Sequence, residues 1–233
     1  MSGSADRDTQ KRAAAEAAAT LVEDGMVIGL GTGSTAYFAI EALIRRVREG
    51  LHILAIATSE RSAAQARDGG IPMTSFAEHR RLDLTIDGAD EIELGSLNLI
   101  KGLGGALLRE KIVATASDRL VVVADARKLT DRLGVTAPVP VEVVAFGWET
   151  TAERLGRLGT EPALRRGADG QIFRTDGGNV ILDCRFGAIS DPAGLDQALS
   201  RIVGVVETGL FIGMAKLALV AGDQGIQRIS CAD

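Results

Sequence analysis

Gly31-Thr32-Gly33-Ser34-Thr35 has the composition of an anion cradle. Counting Gly29, glycines at alternate positions let successive N–H groups converge. A helix behind the loop would add the positive end of its dipole, and the hydroxyls are further donors. The loop lacks the lysine of a Walker loop and the spacing of the dinucleotide fingerprint. A tight strand-to-helix turn capped by Ser or Thr accounts for the same residues equally well.

Asp87-Gly88-Ala89-Asp90 offers a different chemistry. Two carboxylates three residues apart across a glycine turn can face one ligand and exchange protons with its hydroxyls. Ordinary Asp-Gly turn chemistry and helix capping are alternatives. A metal site is a third, although His52 and His79 show no ligand spacing. Lys101-Gly102-Leu103-Gly104-Gly105 sets a lysine before a flexible run that opens a helix, which suits an anion or a developing enolate oxygen. Glu110 follows in Arg109-Glu110-Lys111. By itself that triplet reads as a solvated helix face, and spacing names no catalytic base.

The elements that must hold these residues alternate. An Ala-rich helix over 10–23 precedes a buried strand at 26–30, the glycine loop and a helix over 36–47. A strand at 51–57 leads to a helix capped by Ser59, running to Arg67 and ended by Gly69-Gly70. Leu82, Leu84 and Ile86 alternate into a strand that delivers Asp87. A helix over 106–116 and a strand at 120–124 complete the series. Strands alternating with helices predict a Rossmann-like doubly wound parallel sheet, whose ligands gather at the carboxyl ends of the strands.

After Leu133 the rhythm changes. Strand 139–145, helix 149–158, strands 162–166 and 179–183 around an Asp176-Gly177-Gly178 hairpin turn, a helix capped by Asp191 with Pro192 at its start, and strand 205–211 follow in turn. That order is the split βαβ of a smaller ferredoxin-like α+β domain. Two short strands around 222–225 then return to the first domain. The expected organisation is α/β: 1–133 with 212–233 as the large domain, and 134–211 inserted before the C-terminal segment.

With 46% hydrophobic but only 3% aromatic residues, the core must be aliphatic. The net charge of −5 and the lack of a basic cluster argue against nucleic acid. Two cysteines without a CxxC pair argue against a disulfide framework or a cysteine zinc site. No apolar run approaches the roughly 20 residues of a membrane span, and the polar first residues carry no signal-peptide pattern. A soluble, cytoplasmic protein without a membrane partner is the expectation.

Taken in order, GLGTGST (29–35), DGADEI (87–92), KGLGGALLREKIVA (101–114), VADARK (123–128), PVPVEV (138–143) and TDGGNVILD (175–183) closely resemble the type A ribose-5-phosphate isomerases. The resemblance runs from about Lys11 to the end of the chain. It implies a cofactor-free and metal-free aldose–ketose isomerase that interconverts D-ribose 5-phosphate and D-ribulose 5-phosphate, built from a Rossmann-like and a ferredoxin-like domain and assembled as a homodimer or homotetramer. It also implies roles. Glu110 matches the general base of an ene-diolate path. Asp87 and Asp90 match carboxylates for ring opening and hydroxyl proton transfer, and Lys101 matches the lysine that steadies the enediolate oxygen. Thr32, Gly33, Ser34 and Thr35, the turn Asp87-Gly88-Ala89-Asp90, the turn Lys101-Gly102-Leu103-Gly104, Lys128 and Lys11 match substrate contacts. Leu103 stands where some members carry glycine. Two other readings remain: an isomerase of another sugar phosphate, and a non-catalytic sugar-phosphate sensor.

Overall fold

A computed structural model describes residues 2–231. Helix α1 (Ser2–Ala19), β1 (Val27–Leu30), α2 (Ser34–Arg48), β2 (Leu54–Ala57), α3 (Glu60–Gly69) and β3 (Leu84–Asp87) open the chain. A hairpin of β4 (Glu91–Glu93) and β5 (Leu99–Ile100) follows, then α4 (Leu107–Thr115), β6 (Leu120–Asp125) and β7 (Leu129–Thr130). Next come β8 (Val139–Val143), α5 (Trp148–Gly156), β9 (Ala163–Leu164), β10 (Val180–Cys184), α6 (Pro192–Ser200) and β11 (Val205–Thr208). Strands β12 (Leu210–Phe211), β13 (Ala215–Gly222) and β14 (Gly225–Ser230) end the described chain.

These elements pack as two compact units. One holds the residues up to Ala89, Arg109–Lys128 and those from Met214; the other holds Asp90–Leu108 and Leu129–Gly213. The second unit is therefore larger than segment 134–211, because the β4–β5 hairpin and the turn into α4 pack with it.

The first unit is built on a six-stranded sheet in the order β14-β13-β6-β3-β1-β2. Five strands are parallel, and only β14 is antiparallel, against β13. Ile28, Leu30, Leu84, Ile86, Val121 and Val123 are buried with Ala14, Ala15 and Ala18 of α1 and with Ile40 and Leu43 of α2. The Ala-rich helix thus packs on the sheet, where small side chains allow close approach. It begins earlier than its apolar spacing suggests, because its first residues are polar and carry no periodic signal. Read from β2, the order is the 2-1-3-4-5 kind, with its topological switch between β1 and β3. Hydrophobic patterning could not show that order.

In the second unit β11-β8-β10-β9 form an antiparallel sheet. Counting the four strands along the chain, the order is 4-1-3-2 with α5 and α6 as the crossovers, which is the ferredoxin-like split βαβ. Val139, Val141, Val143, Val180, Leu182 and Cys184 pack with Leu155 of α5 and Leu199 of α6. Burial raises the Cys184 thiol to about 12, with the charge of Asp183 adding to the effect.

A second small sheet, β12-β5-β4-β7, consists of strands of two or three residues. Too short to show alternation, β4, β5 and β7 leave no mark in the sequence. The expected strand 205–211 is in fact two strands in two sheets, parted at Gly209. Its N–H donates to the Pro140 carbonyl at 2.7 Å and its carbonyl accepts from the Lys101 N–H at 2.8 Å. A Cβ at 209 would stand 2.2 Å from the Lys101 carbonyl oxygen. The turn at 176–178 exists, with the Gly178 N–H on the Thr175 carbonyl, but it does not join β9 to β10 alone. A bridge between Arg166 and Ile172 folds a first loop before it.

Glu91 explains how the loop after β7 is held. Its carboxylate, 1% exposed, accepts the N–H groups of Gly134, Thr136 and Ala137 and the Thr136 hydroxyl at 2.6–2.7 Å. Charge-assisted bonds of this kind are about twice as strong as neutral ones.

Candidate active site

The switch point positions the first group. At the end of β1, Gly31 donates to the Ile86 carbonyl of β3 at 2.9 Å. Asp87, 1% exposed, then accepts at Oδ1 the N–H groups of Thr32 (3.1 Å) and Gly88 (2.7 Å). The carboxylate is thereby fixed against the glycine loop, at the strand ends where a doubly wound sheet takes its ligand.

The loop is also braced from below. Thr32 Oγ1 lies 2.7 Å from Thr58 Oγ1, 2.8 Å from Ser59 Oγ and 3.2 Å from Ser62 Oγ, and Ser62 Oγ donates to the Gly31 carbonyl at 2.8 Å. Ser59 also caps α3 by accepting the Ser62 N–H. The Thr32 hydroxyl is therefore spent on internal contacts, and what the loop offers a ligand is backbone. Gly33 has φ 118°, a conformation that glycine alone adopts without strain, and it starts α2 with no side-chain cap. Ser34 is exposed and Thr35 buried in that first turn, where unbonded N–H groups favour an anion. A cleft of about 330 Å³ opens beside it, lined by Gly33, Ser34, Tyr37, Arg61, Ser62 and Gln65 among others. Neither Asp87 nor Glu110 is among its described lining residues.

Glu110 sits in the first half of α4. Val113, three residues on, reaches the backbone of Gly29, where a Cβ would come within 2.5 Å of its Cγ1. Because α4 leads into β6, parallel to β3, it runs opposite to the strands, so Glu110 lies one turn nearer the ends that carry Asp87. Glu110 is 3% exposed, whereas Arg109 on the same triplet is turned outward to pair with Glu60 at 2.7 Å. The triplet is not a solvated face throughout.

Lys128 follows β6 in a short 3-10 turn, 126–128. Asp125, 1% exposed, ends the strand and accepts from Arg127 Nε at 2.8 Å and from its N–H at 3.2 Å. Burial pushes the Asp125 carboxyl up, but Arg127 and the nearby charge of Lys128 more than offset this and hold it below the usual range. A carboxylate lowered in the folded state contributes stability that is fully present above its unfolded value of about 3.9 and is lost as the pH falls through the lowered folded value. Arg127→Gln should therefore lower the melting temperature most near neutrality, with the gap to wild type closing below about pH 4; an equal gap across a pH series would refute it. Lys11 lies on α1 with Asp8 3.7 Å away.

Of the other expected residues, Ala89 closes the first segment of the first unit, while Asp90, Lys101, Gly102, Leu103 and Gly104 lie in the second. Glu91 pairs with Ile100 and Ile92 with Leu99, so one further step of the register sets Asp90 opposite Lys101. The Asp90 N–H donates to the Ile100 carbonyl at 2.8 Å, and its Oδ2 accepts the Leu103 N–H at 2.9 Å. Lys101 is 2% exposed, with Nζ 5.4 Å from the centre of the Phe211 ring. Gly102 and Gly105 have φ of 105° and 83°, which gives the turn its shape. Leu103 and Gly104 are exposed at its tip, and Ala89 is half-buried before Asp90. Three groups escaped the sequence reading. The Thr58–Ser62 hydroxyls showed only a helix cap, Glu91 only a turn, and Arg165 no signal at all. Among the described residues, no three His, Cys, Asp or Glu gather to hold a metal ion.

A doubly wound α/β unit with a carboxylate and a glycine loop at its switch point defines a class of ligand-binding enzyme fold. The comparisons make it particular. The family model of ribose 5-phosphate isomerase A (phosphoriboisomerase A) matches residues 54–225, and the chain belongs to that family. It is 60% identical over 222 residues to the ribose-5-phosphate isomerase A of Gloeobacter violaceus, covering 95% of this chain and 96% of that one. Its fold is similar to ribose 5-phosphate isomerase from Plasmodium falciparum, with a TM-score of 0.93 and 38% identity, covering 97% of this chain and 100% of the other. A D-ribose-5-phosphate isomerase in complex with phospho-erythronic acid is similar at a TM-score of 0.92 and 36% identity, over 96% and 99% of the two chains.

Proposed function

We propose that Glu110 is the base of this isomerase, moving a proton between the two carbons of an ene-diolate formed from D-ribose 5-phosphate on the way to D-ribulose 5-phosphate, a step of the non-oxidative pentose phosphate pathway. Asp87 and Asp90 open the ring and carry protons between the adjacent hydroxyls, and Lys101 steadies the negative oxygen. The first turn of α2, the turns at 87–90 and 101–104, Lys128 and Lys11 hold the substrate.

The observation that supports the base most directly is the burial of Glu110. A carboxylate withdrawn from water is disfavoured unless a partner or a chemical task retains it, and such groups concentrate at functional sites. Phospho-erythronic acid in the complex of a similar enzyme supports the ene-diolate path rather than the identity of its base, since a carboxylate is planar and negative like an ene-diolate. The reading places the enzyme in the cytoplasm, as a dimer or tetramer.

The purified protein should convert D-ribose 5-phosphate to ketose much faster than hexose phosphates, with a chelator leaving the rate unchanged. Faster turnover of a hexose phosphate would replace the substrate, and binding without turnover would make the protein a sensor.

A further inference from the structure

Arg165, directly after the short strand β9, is 11% exposed at its side chain and grips Asp183 of β10 with two nitrogens; Nε lies 2.9 Å from Oδ2, and Nη2 bonds Oδ1. Its remaining nitrogen points elsewhere. Nη1 donates to the Gly102 carbonyl at 2.6 Å and, more weakly, to the Leu103 carbonyl at 3.2 Å. The Gly102 carbonyl and the Leu103 N–H belong to one peptide unit, and that N–H donates to Asp90 Oδ2 at 2.9 Å. One peptide plane therefore stands between a guanidinium on its oxygen and a carboxylate on its hydrogen. Bonds at both ends polarise an amide in the same sense, and each strengthens the other. The planar guanidinium can hold Asp183 and the carbonyl at once; an ammonium lacks that fork.

We infer that Arg165 is a positioning residue for the isomerisation: acting through the Gly102–Leu103 peptide, it aims and strengthens the N–H that holds Asp90. This rests on the proposed role of Asp90. Oδ2 is committed to the Leu103 N–H, and Oδ1 is the oxygen with which Asp90 meets a substrate hydroxyl. The chain Asp183–Arg165–peptide–Asp90 runs wholly within the second unit. It makes a pair of residues of the ferredoxin-like unit, Asp183 in β10 and Arg165 just after β9, support the site without touching substrate. Phe173 supports the same turn, leaving no room for a Cβ at Gly105, which would stand 2.3 Å from its Cζ.

The test is Arg165→Met in the full chain, with ribose 5-phosphate kinetics and the ¹⁵N–¹H resonance of Leu103 as paired readouts. Loss of a hydrogen bond to a charged group corresponds to a fall of about tenfold or more in kcat/KM. The Leu103 amide proton should move upfield together with that fall, and Arg165→Lys should recover part of both. Wild-type kcat/KM in Arg165→Met overturns the inference. So does lost activity with an unmoved Leu103 resonance, since Arg165 would then act by another route. If Arg165→Met does not fold, Asp183→Asn serves: a smaller shift of Leu103 in the same direction supports the chain, and none refutes it. Asp90→Asn separates the two layers. Its inactivity beside a neutral Arg165→Met sinks only the relay, whereas full activity in Asp90→Asn removes the role of Asp90 itself.

Discussion

Glu110→Gln is expected to lower the turnover of D-ribose 5-phosphate by about a hundredfold or more while leaving the protein folded. The amide matches the carboxylate in size and hydrogen-bonding reach but cannot take up a proton. At 3% exposure, Glu110 leaves little room for water to serve in its place. Helix α4 is anchored independently by Val113 against Gly29 and by Ser117, whose Oγ donates to the Val113 carbonyl at 2.7 Å. Circular dichroism and the melting temperature should therefore stay near wild type. A drop in kcat with KM nearly constant is the signature of an interaction made in the transition state. Full activity in the variant would transfer the base to another residue.

The second large effect belongs to Gly31. A Cβ there would lie 2.1 Å from Asp87 Oδ1, 2.4 Å from Asp87 Cγ and 2.6 Å from Asp87 Cα. Rotating the side chain removes the first two clashes but not the third, which is with backbone. Gly31→Ala must therefore part β1 from β3 at the point where Asp87 receives the Thr32 N–H. Overpacking costs about 1–3 kcal/mol and occasionally more, and kcat/KM should fall further than stability does because the carboxylate is displaced. Gly88→Ala is the stability control, since its Cβ would meet nothing nearer than 3.9 Å. Equal melting temperatures for the two variants would refute the steric account.

Much of this was legible in the chain. Ser59 caps α3, Asp191 and Pro192 start α6, and Gly70 closes α3 in the left-handed region, all through local chemistry that a sequence displays. The split βαβ rhythm after Leu133 was equally plain. Strand order was not, because parallel neighbours are chosen by tertiary packing and leave no periodicity. The site divides in the same way. The glycine loop and Asp87 announce themselves by composition, while the inward turn of Glu110 depends on which face of α4 meets β1. Roles for Glu110 and Lys101 came from the family resemblance. Arg165 stands more than sixty residues from the turn it holds, and no local pattern could link them.

The sheet order has a consequence for how the protein is made. Strand β13 lies between β6 and β14 and is almost wholly buried, yet it comes from residues 215–222. Until the ribosome has passed Gly222, β6 presents an open, apolar edge, while every strand of the ferredoxin-like sheet has already been synthesised. The sheet encoded in the middle thus has all its strands before the larger sheet does. The nascent sheet must wait with an unpaired edge of the kind that invites association with other chains. Chains stopped short of β13 should accordingly be prey for chaperones and proteases, even though every residue proposed for the chemistry has already been translated.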